Sequence, residues 1–403
     1  MQTKKPLIVL FNHGGGMRGL VPAHIMARIE EATGLRMAEM VDVFAGPSTG
    51  AILNAGLNVP HDQDLKRPKY RARHMVRFYE REGLRIFPPD RFRDFRGFIH
   101  DFNNRTMKIS KLNSLFRHGH YDPQHLSYCL KQLYGNTKLH ESLKSLVIPV
   151  YNIDGEQLEI AEEAGEDDAS PVRTNNNFID RGGHAVWLKN MKMRRNHRKT
   201  PDVSLHSAIM GSTAAPSYFP CHHFEVKDRH SNEYRHITGI DGSMFDNACI
   251  SFHGAIRQHI EADQPVIMIV LGTGFTLRSI NKDQWDSYGG LGVVDPVNDL
   301  PLINILFHAP ESALMESFTQ ELGSNLHVFN KSLINDIGHP DVPSTAIDDA
   351  SPDNLKKMGD FASRIIEENQ KSFDRVCEVL VRNRDASIHG EEAMKKGFFD
   401  IFK

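Results

Sequence analysis

Leu7 to Phe11 is an unbroken apolar run, the pattern of a strand buried on both faces, and it gives way at once to Gly14-Gly15-Gly16. Val21, Ile25 and Ile29 then recur at helical spacing as far as Gly34, which reads as a helix stop. Val41 to Ala45 begins a second such unit, with a tight turn at Gly46 to Gly50 and a helix of small and apolar residues over Ala51 to Leu57. Strand, loop and helix in this order predict an α/β fold.

Residues 58–120 interrupt the alternation, with many arginines set among Phe78, Phe87, Phe92, Phe95, Phe98, Phe102 and Phe116, and predict an inserted helical cap. Beyond it the pattern predicts a helix over Pro123 to Leu133 and a strand over Leu146 to Ile153. The polar, acidic stretch from Gly155 to Asn177 predicts a mobile surface loop. Pro201 to Ala215 reads as a helix, Ile237 to Ile240 as a strand entering Asp241-Gly242, and Pro265 to Leu271 as a buried strand ending at Gly272-Thr273-Gly274. Near the end, Ser351 as N-cap and Pro352 in the first turn introduce Leu355, Met358, Ala362, Ile365, Phe373, Val376 and Leu380 at helical intervals, one long helix packed on the body. No internal repeat is evident.

Composition bounds this picture without redirecting it. A chain of 403 residues, 40% hydrophobic and 25% charged, buries a sizeable core as one large domain or one domain with appendages. The formal net charge of -3 supplies no global field toward nucleic acid or anionic lipid. Locally the balance differs, because residues 66–117 hold 15 Lys or Arg against 5 Asp or Glu. Basic residues interleaved with phenylalanine suit a cap lying on phospholipid headgroups; a solvated cap that packs its phenylalanines inward fits the same pattern, and nucleic-acid binding is a weaker third reading, so no nucleic-acid partner is expected. Cys129, Cys221, Cys249 and Cys377 show no C-x-x-C spacing and fit reduced thiols, with a cytoplasmic location as the default. No apolar run is long enough for a transmembrane helix, and the apolar stretch after Lys4-Lys5 is too short for a signal peptide.

The candidate chemistry sits in the turns. Gly46-Pro47-Ser48-Thr49-Gly50 matches the G-x-S-x-G nucleophile elbow, in which Gly46 and Gly50 let neighbouring backbone approach while Ser48 is held exposed at a helix start. An ordinary tight turn fits the five residues alone. Gly14, Gly15, Gly16 and Arg18 open a helix one unit earlier, so their amides suit an oxyanion hole. The same Gly14 to Gly19 run satisfies the dinucleotide fingerprint G-x-G-x-x-G, with Asp42 as the acidic residue such a site needs; that reading leaves Ser48 unexplained. A Ser-His-Asp hydrolase of the usual α/β kind places several strands before its elbow, whereas one precedes it here, and none of the 22 histidines stands out by position.

With Gly14 to Gly19, then Gly46 to Gly50, then Asp241-Gly242, the sequence resembles the patatin-like phospholipases. Ser212-Thr213-Ala214-Ala215-Pro216-Ser217-Tyr218-Phe219-Pro220, Asn247 and Leu271-Gly272-Thr273-Gly274 resemble further landmarks in family order, so the likeness covers residues 6–275 firmly and the C-terminal helix loosely. The resemblance implies a three-layer α/β/α sandwich with a mostly parallel central sheet, a catalytic region over residues 1–330 with the cap at 58–120, and a C-terminal strand and long helix over 331–403. It further implies Ser48 as nucleophile, Asp241 as its base, an oxyanion site at Gly14, Gly15, Gly16 and Arg18, and no need of a histidine. Asp246 is a near competitor for the base. The family loop usually begins Asp-Gly-Gly-Gly, and Asn12-His13 stands there instead, which opens the question of how the loop is anchored; His13 reads as a second partner of the site or as a solvated loop residue.

The expected activity is therefore phospholipase A or lysophospholipase chemistry on membrane phospholipid, with no metal and no cofactor, by a protein that reaches the membrane peripherally from the cytoplasm. A catalytically inactive lipid-binding protein on the same fold, or a dinucleotide-binding oxidoreductase, are the alternatives. The resemblance to compact bacterial patatin-like proteins also admits a small-molecule activator such as a cyclic dinucleotide, and self-association as a homo-oligomer. The tail from Lys395 to Lys403 is unassigned, while Trp187, Trp285 and the His222-His223 pair read as packing or surface residues.

Overall fold

The computed structural model describes residues 4–88, 121–154, 156–159, 178–191, 201–216, 218–228, 234–275, 280–293, 301–333 and 341–389. The larger part of the expected cap, residues 89–120, the interior of the polar stretch before Asn177, Ser217 and the Lys395 tail lie outside these residues.

Thirteen strands are described: β1 (Leu7–Asn12), β2 (Val43–Ala45), β3 (Pro60–His61), β4 (Asp64–Pro68), β5 (Ser145–Asn152), β6 (Glu156–Glu159), β7 (Phe178–Arg181), β8 (His184–Lys189), β9 (Pro201–Asp202), β10 (His222–Asp228), β11 (Tyr234–Asp241), β12 (Val266–Leu271) and β13 (Leu326–Phe329). Nine of them form one sheet in the order β13-β12-β1-β2-β5-β11-β10-β9, with β8 also paired to β5. The stretch from β13 to β5 is parallel; β8, β9, β10 and β11 add antiparallel pairings. The principal helices are α1 (Leu20–Thr33), α2 (Ser48–Leu57), α3 (Ala72–Ile86), α4 (Pro123–Tyr134), α5 (Leu205–Ser212), α6 (Pro301–Leu322), α7 (Pro352–Glu368) and α8 (Gln370–His389).

The continuous apolar runs of β1 and β12 follow from burial on both faces. Ile8 and Leu10 point into a core shared with α1, α2, α7 and α8, whereas Val9 and Phe11 point into a second core with Phe252 and Phe318. Alternation of side chains along the strand divides the two cores, and helices on both sides give the three layers that the family resemblance implies. α1 buries Ile25, Met26 and Ile29 on one stripe and stops where Gly34 takes a left-handed conformation (φ 72) and donates its amide to Glu30.

Several boundaries differ from the sequence reading. The segment read as one helix from Pro201 begins with the edge strand β9, and only Leu205–Ser212 is helical, because Ser204 caps the helix by accepting from Ser207 N. The start of the supposed cap, residues 58–88, holds the β3–β4 hairpin and then α3, whose Met75, Val76 and Tyr79 are buried in the main core. The polar stretch is bounded by a hairpin of β6 and β7 rather than being loop throughout. The last sheet strand, Leu326–Phe329, precedes residue 331, and the single long C-terminal helix is two helices separated at Asn369.

Candidate active site

The parallel strands β1, β2 and β12 end at the same edge of the sheet, the edge at which α/β folds bind ligands. From β2 the chain turns through Gly46 (φ 142) and Pro47 into Ser48, which opens α2 at φ 53, the one positive φ among the described non-glycine residues. A side chain forced into this region stores backbone strain, and here the surroundings fix it. A methyl group on Gly46 or Gly50 would overlap the Asn12 carbonyl oxygen, so both glycines are needed for α2 to seat against the end of β1. The Ser48 amide donates to Ser212 Oγ at 3.2 Å, and Ser212 donates in turn to the Pro149 carbonyl of β5 at 2.7 Å.

Asp241 ends β11, opposite Val150 of β5. Its amide donates to the Ala214 carbonyl at 3.0 Å and its Oδ1 accepts from Ser243 N at 2.8 Å. Burial pushes the Asp241 carboxyl up to about 6, while hydrogen bonds from the Ser243 amide and the Ser48 side chain act in the opposite direction. Two residues far apart in the sequence thus meet, with Ser48 8% and Asp241 2% exposed. Asp246 has different partners: its Oδ2 accepts from Ser251 Oγ at 2.6 Å and its Oδ1 from Trp187 Nε1 at 3.2 Å, and burial pushes its carboxyl up to about 7.

The glycine loop runs directly beside the serine. A Cβ on Gly14 would lie 3.1 Å from Ser48 Cβ and overlap the Ser243 hydroxyl. The loop is anchored by Thr273, whose hydroxyl donates to the Gly14 carbonyl at 2.8 Å, and by the His13 amide, which donates to the Leu271 carbonyl at 3.0 Å. Asn12, standing where the family usually has an aspartate, is fully buried and donates to Asn54 Oδ1 at 2.6 Å; Asn54 donates to the Ala45 carbonyl at 2.8 Å, joining the ends of β1 and β2. His13 is half-buried, with Nε2 at 3.4 Å from Glu311 Oε1 of α6, rather than solvated. Arg18 is half-buried near Tyr218, and burial lowers its guanidinium to about 10, which leaves it charged at neutral pH.

A narrow apolar pocket of about 50 Å³ adjoins Ser48, with Met17, Ile52, Tyr79, Phe87, Phe219 and Ile347 among its walls. Among the described residues no group of three or more His, Cys, Asp or Glu is placed to hold a metal ion. The acid required by the dinucleotide reading is committed elsewhere. Asp42 lies before β2, at the opposite end of the strand from the glycine loop, where it accepts from Ile8 N at 3.0 Å and from Asn383 Nδ2 at 3.1 Å. A ribose-binding carboxylate belongs at the other end of that strand.

Sequence reasoning named the stretch from Ser212 to Ala214 but gave it no task. In the structure it is the bridge of the site, with Ser212 holding the amide of Ser48 and Ala214 holding the amide of Asp241. The signal available in the sequence was a pair of small residues around a helix end, too common a pattern to interpret without the fold.

The family model described as patatin-like phospholipase matches residues 13–252. Patatin-like protein 2 of Oryza sativa subsp. indica is 27% identical over 249 residues, which is 60% of this chain and 51% of that protein, so this match spans about half of the relative's length. Patatin-like protein 1 of Arabidopsis thaliana is 24% identical over 392 residues, covering 90% of this chain and 83% of the relative. A solved structure titled human GIVD cytosolic phospholipase A2 in complex with methyl gamma-linolenyl fluorophosphonate aligns with 94% of this chain and 60% of that chain at 10% identity and a TM-score of 0.40, too loose a superposition to carry an argument.

Proposed function

This chain belongs to the patatin-like phospholipase family, and from that premise we propose that it is a lipid acyl hydrolase of phospholipase A or lysophospholipase type working through a Ser48–Asp241 dyad. The observation that carries the proposal is the approach of the Ser48 side chain to the buried Asp241 carboxylate.

A serine hydroxyl is a weak nucleophile until a base within hydrogen-bonding reach accepts its proton. Asp241, titrating at about 6, is largely ionised at neutral pH, and burial destabilises that charge and makes it a stronger base than a free aspartate, which suits it to that task. As Ser48 Oγ attacks the ester carbonyl, its proton passes to Asp241 and negative charge develops on the carbonyl oxygen. Donors already in place at the glycine loop and the start of α2 stabilise that charge. The amides of Gly14, Gly15 and Gly16 donate to no carbonyl among the described residues, which supports their assignment to this role. Asp241 then gives its proton to the leaving alcohol, and water attacks the acyl-enzyme by the same route. The apolar walls beside Ser48 favour the acyl side of an ester.

Release of free fatty acid from phosphatidylcholine and lysophosphatidylcholine vesicles tests the proposal. Wild type is expected to release it and to form a fluorophosphonate adduct at Ser48, whereas Ser48→Ala does neither; equal release by both proteins would remove Ser48 from the mechanism.

Peripheral membrane contact through residues 66–117 draws support from the tip of the β3–β4 hairpin and the strand after it, where Leu65 is 73% exposed beside exposed Lys66 and Arg67. No helix among the described residues is long and apolar enough to cross a membrane. Flotation with anionic liposomes, lost on Lys66→Glu with Arg67→Glu, tests this part. Addition of cyclic dinucleotides to the fatty-acid assay, and light scattering of the purified chain, test activation and self-association.

A further inference from the structure

Residues 344–350 cross over the glycine loop before α7 begins, in a part of the chain beyond the family match. Buried Asn354, in the first turn of α7, closes the crossing into a loop. Its Oδ1 accepts from Ser344 N at 2.8 Å and its Nδ2 donates to the Asp349 carbonyl at 2.7 Å. Within the loop Ala346 N donates to Ser344 Oγ at 3.2 Å, and at its end Ser351 N donates to Asp349 Oδ1 at 3.0 Å. Both ends of the strap are therefore fixed by one side chain, and its interior is tied down by short-range hydrogen bonds.

The strap is seated on the site at two points. The Met17 amide donates to the Ile347 carbonyl at 2.7 Å, and Gly16 (φ 57) makes that approach possible, because any side chain there would overlap the same carbonyl. One residue on, Asp348 Oδ2 accepts from Tyr121 OH at 2.8 Å. The Tyr121 ring meets Phe87 edge-on at 5.2 Å and Phe219 at 6.0 Å, so the strap is joined to the aromatic wall of the pocket as well as to its glycine floor. Ile347 lies between these attachments and lines the pocket together with Ser48.

The pocket it helps to close measures about 50 Å³. Set between the glycine floor and the aromatic wall, Ile347 narrows the space through which an acyl chain passes Ser48. We propose that Ile347 is the specificity-determining residue that limits how long an acyl chain enters this pocket, with Asn354 as the positioning residue that holds it there. The inference rests on the reading of Ser48 as an acyl-transfer nucleophile. One methylene in an apolar pocket changes discrimination by roughly 10- to 200-fold, so trimming Ile347 is expected to be visible in chain-length preference.

The test measures kcat/KM of the full-length protein on p-nitrophenyl butyrate and p-nitrophenyl dodecanoate and takes their ratio, which cancels the fraction of folded enzyme. Ile347→Ala is expected to raise the dodecanoate-to-butyrate ratio about tenfold and Ile347→Phe to lower it. Asn354→Ala is expected to raise it through KM on the dodecanoate, since the strap is then free to yield. Identical ratios in wild type, Ile347→Ala and Ile347→Phe would overturn the proposal. Should wild type and Ser48→Ala hydrolyse alike, the reading of Ser48 fails, and the proposal is then decided by calorimetric titration of dodecanoate into Ser48→Ala with and without Ile347→Ala. A Kd about tenfold tighter in the double variant sustains it, and equal Kd values reject it.

Discussion

Ser48 is held in a backbone conformation that its own side chain disfavours, and two carboxyl groups nearby are held at proton affinities that water would not allow. Each has a measurable consequence. Because Asp241 is a base only when ionised and titrates at about 6, kcat/KM is expected to reach half its plateau near pH 6 and to fall about tenfold per pH unit below. A flat profile between pH 5 and 8 would exclude it as the base. Asp241→Asn is expected to lower kcat by roughly 10³- to 10⁴-fold with little change in KM. Asp246 has a structural consequence instead. Its folded pKa lies above that of an unfolded aspartate, so the native state retains a proton that the unfolded chain releases, and stability is lost as pH rises from about 4 to about 7. Asp246→Asn lacks this titration. Its stability relative to wild type is expected to improve over that interval by at most about 1.4 kcal/mol per pH unit, read from urea melts at several pH values.

At the scale of elements, the site depends on how closely α2, β1 and α5 approach one another. Gly50→Ala places a methyl group into the Asn12 carbonyl, a backbone atom that cannot swing aside, so a loss of about 3 kcal/mol or more is expected in a denaturant melt. Ser212→Ala breaks the link from Ser48 N to the Pro149 carbonyl and leaves the buried Ser48 amide without its acceptor. A stability loss of about 1–3 kcal/mol is expected with a kcat decrease of roughly tenfold, and an unchanged kcat would show that the elbow is positioned without it. These contacts also explain what the sequence could disclose. β1, β2 and β12 are legible because strands buried on both faces must be apolar throughout, and the glycines that flank them mark the turns. β10 alternates, with Phe224 and Val226 buried and His223 and Glu225 exposed, but two apolar positions carry the whole period, too few to mark a strand in the sequence. The break between α7 and α8 has no Gly or Pro to announce it; it falls at Asn369, whose amide caps the Ile366 carbonyl. The pairing of Ser48 with Asp241 was implied only by the resemblance to the family, since an isolated Asp-Gly is usually a turn, and the Ser212–Ala214 bridge is a tertiary arrangement with no local signature.

Over the whole molecule, the C-terminal helices close the larger core. Met358, Phe361, Ile365, Val376 and Leu380 are buried, and Asn383 Nδ2 donates to the Met40 carbonyl at 2.7 Å. Full burial of each such apolar side chain contributes about 1.5–3 kcal/mol, so together they rival the net stability of a domain. Deletion from residue 352 onward is therefore expected to give an aggregating or loosely packed product; a soluble fragment with one sharp thermal transition would show that the catalytic layers fold without the helices.

Leu7 pairs with Val266 and Asn12 with Leu271, so the first strand finds this neighbour only about 260 residues later. During synthesis the segment bearing Ser48 leaves the ribosome roughly two hundred residues ahead of Asp241 and of the Thr273 hydroxyl that anchors the glycine loop, a delay of about 10–40 s at ordinary elongation rates. On the proposed reading of Ser48 and Asp241, the site is assembled only after β11 and β12 have been made. Stalled chains ending before β11 should accordingly resist fluorophosphonate labelling.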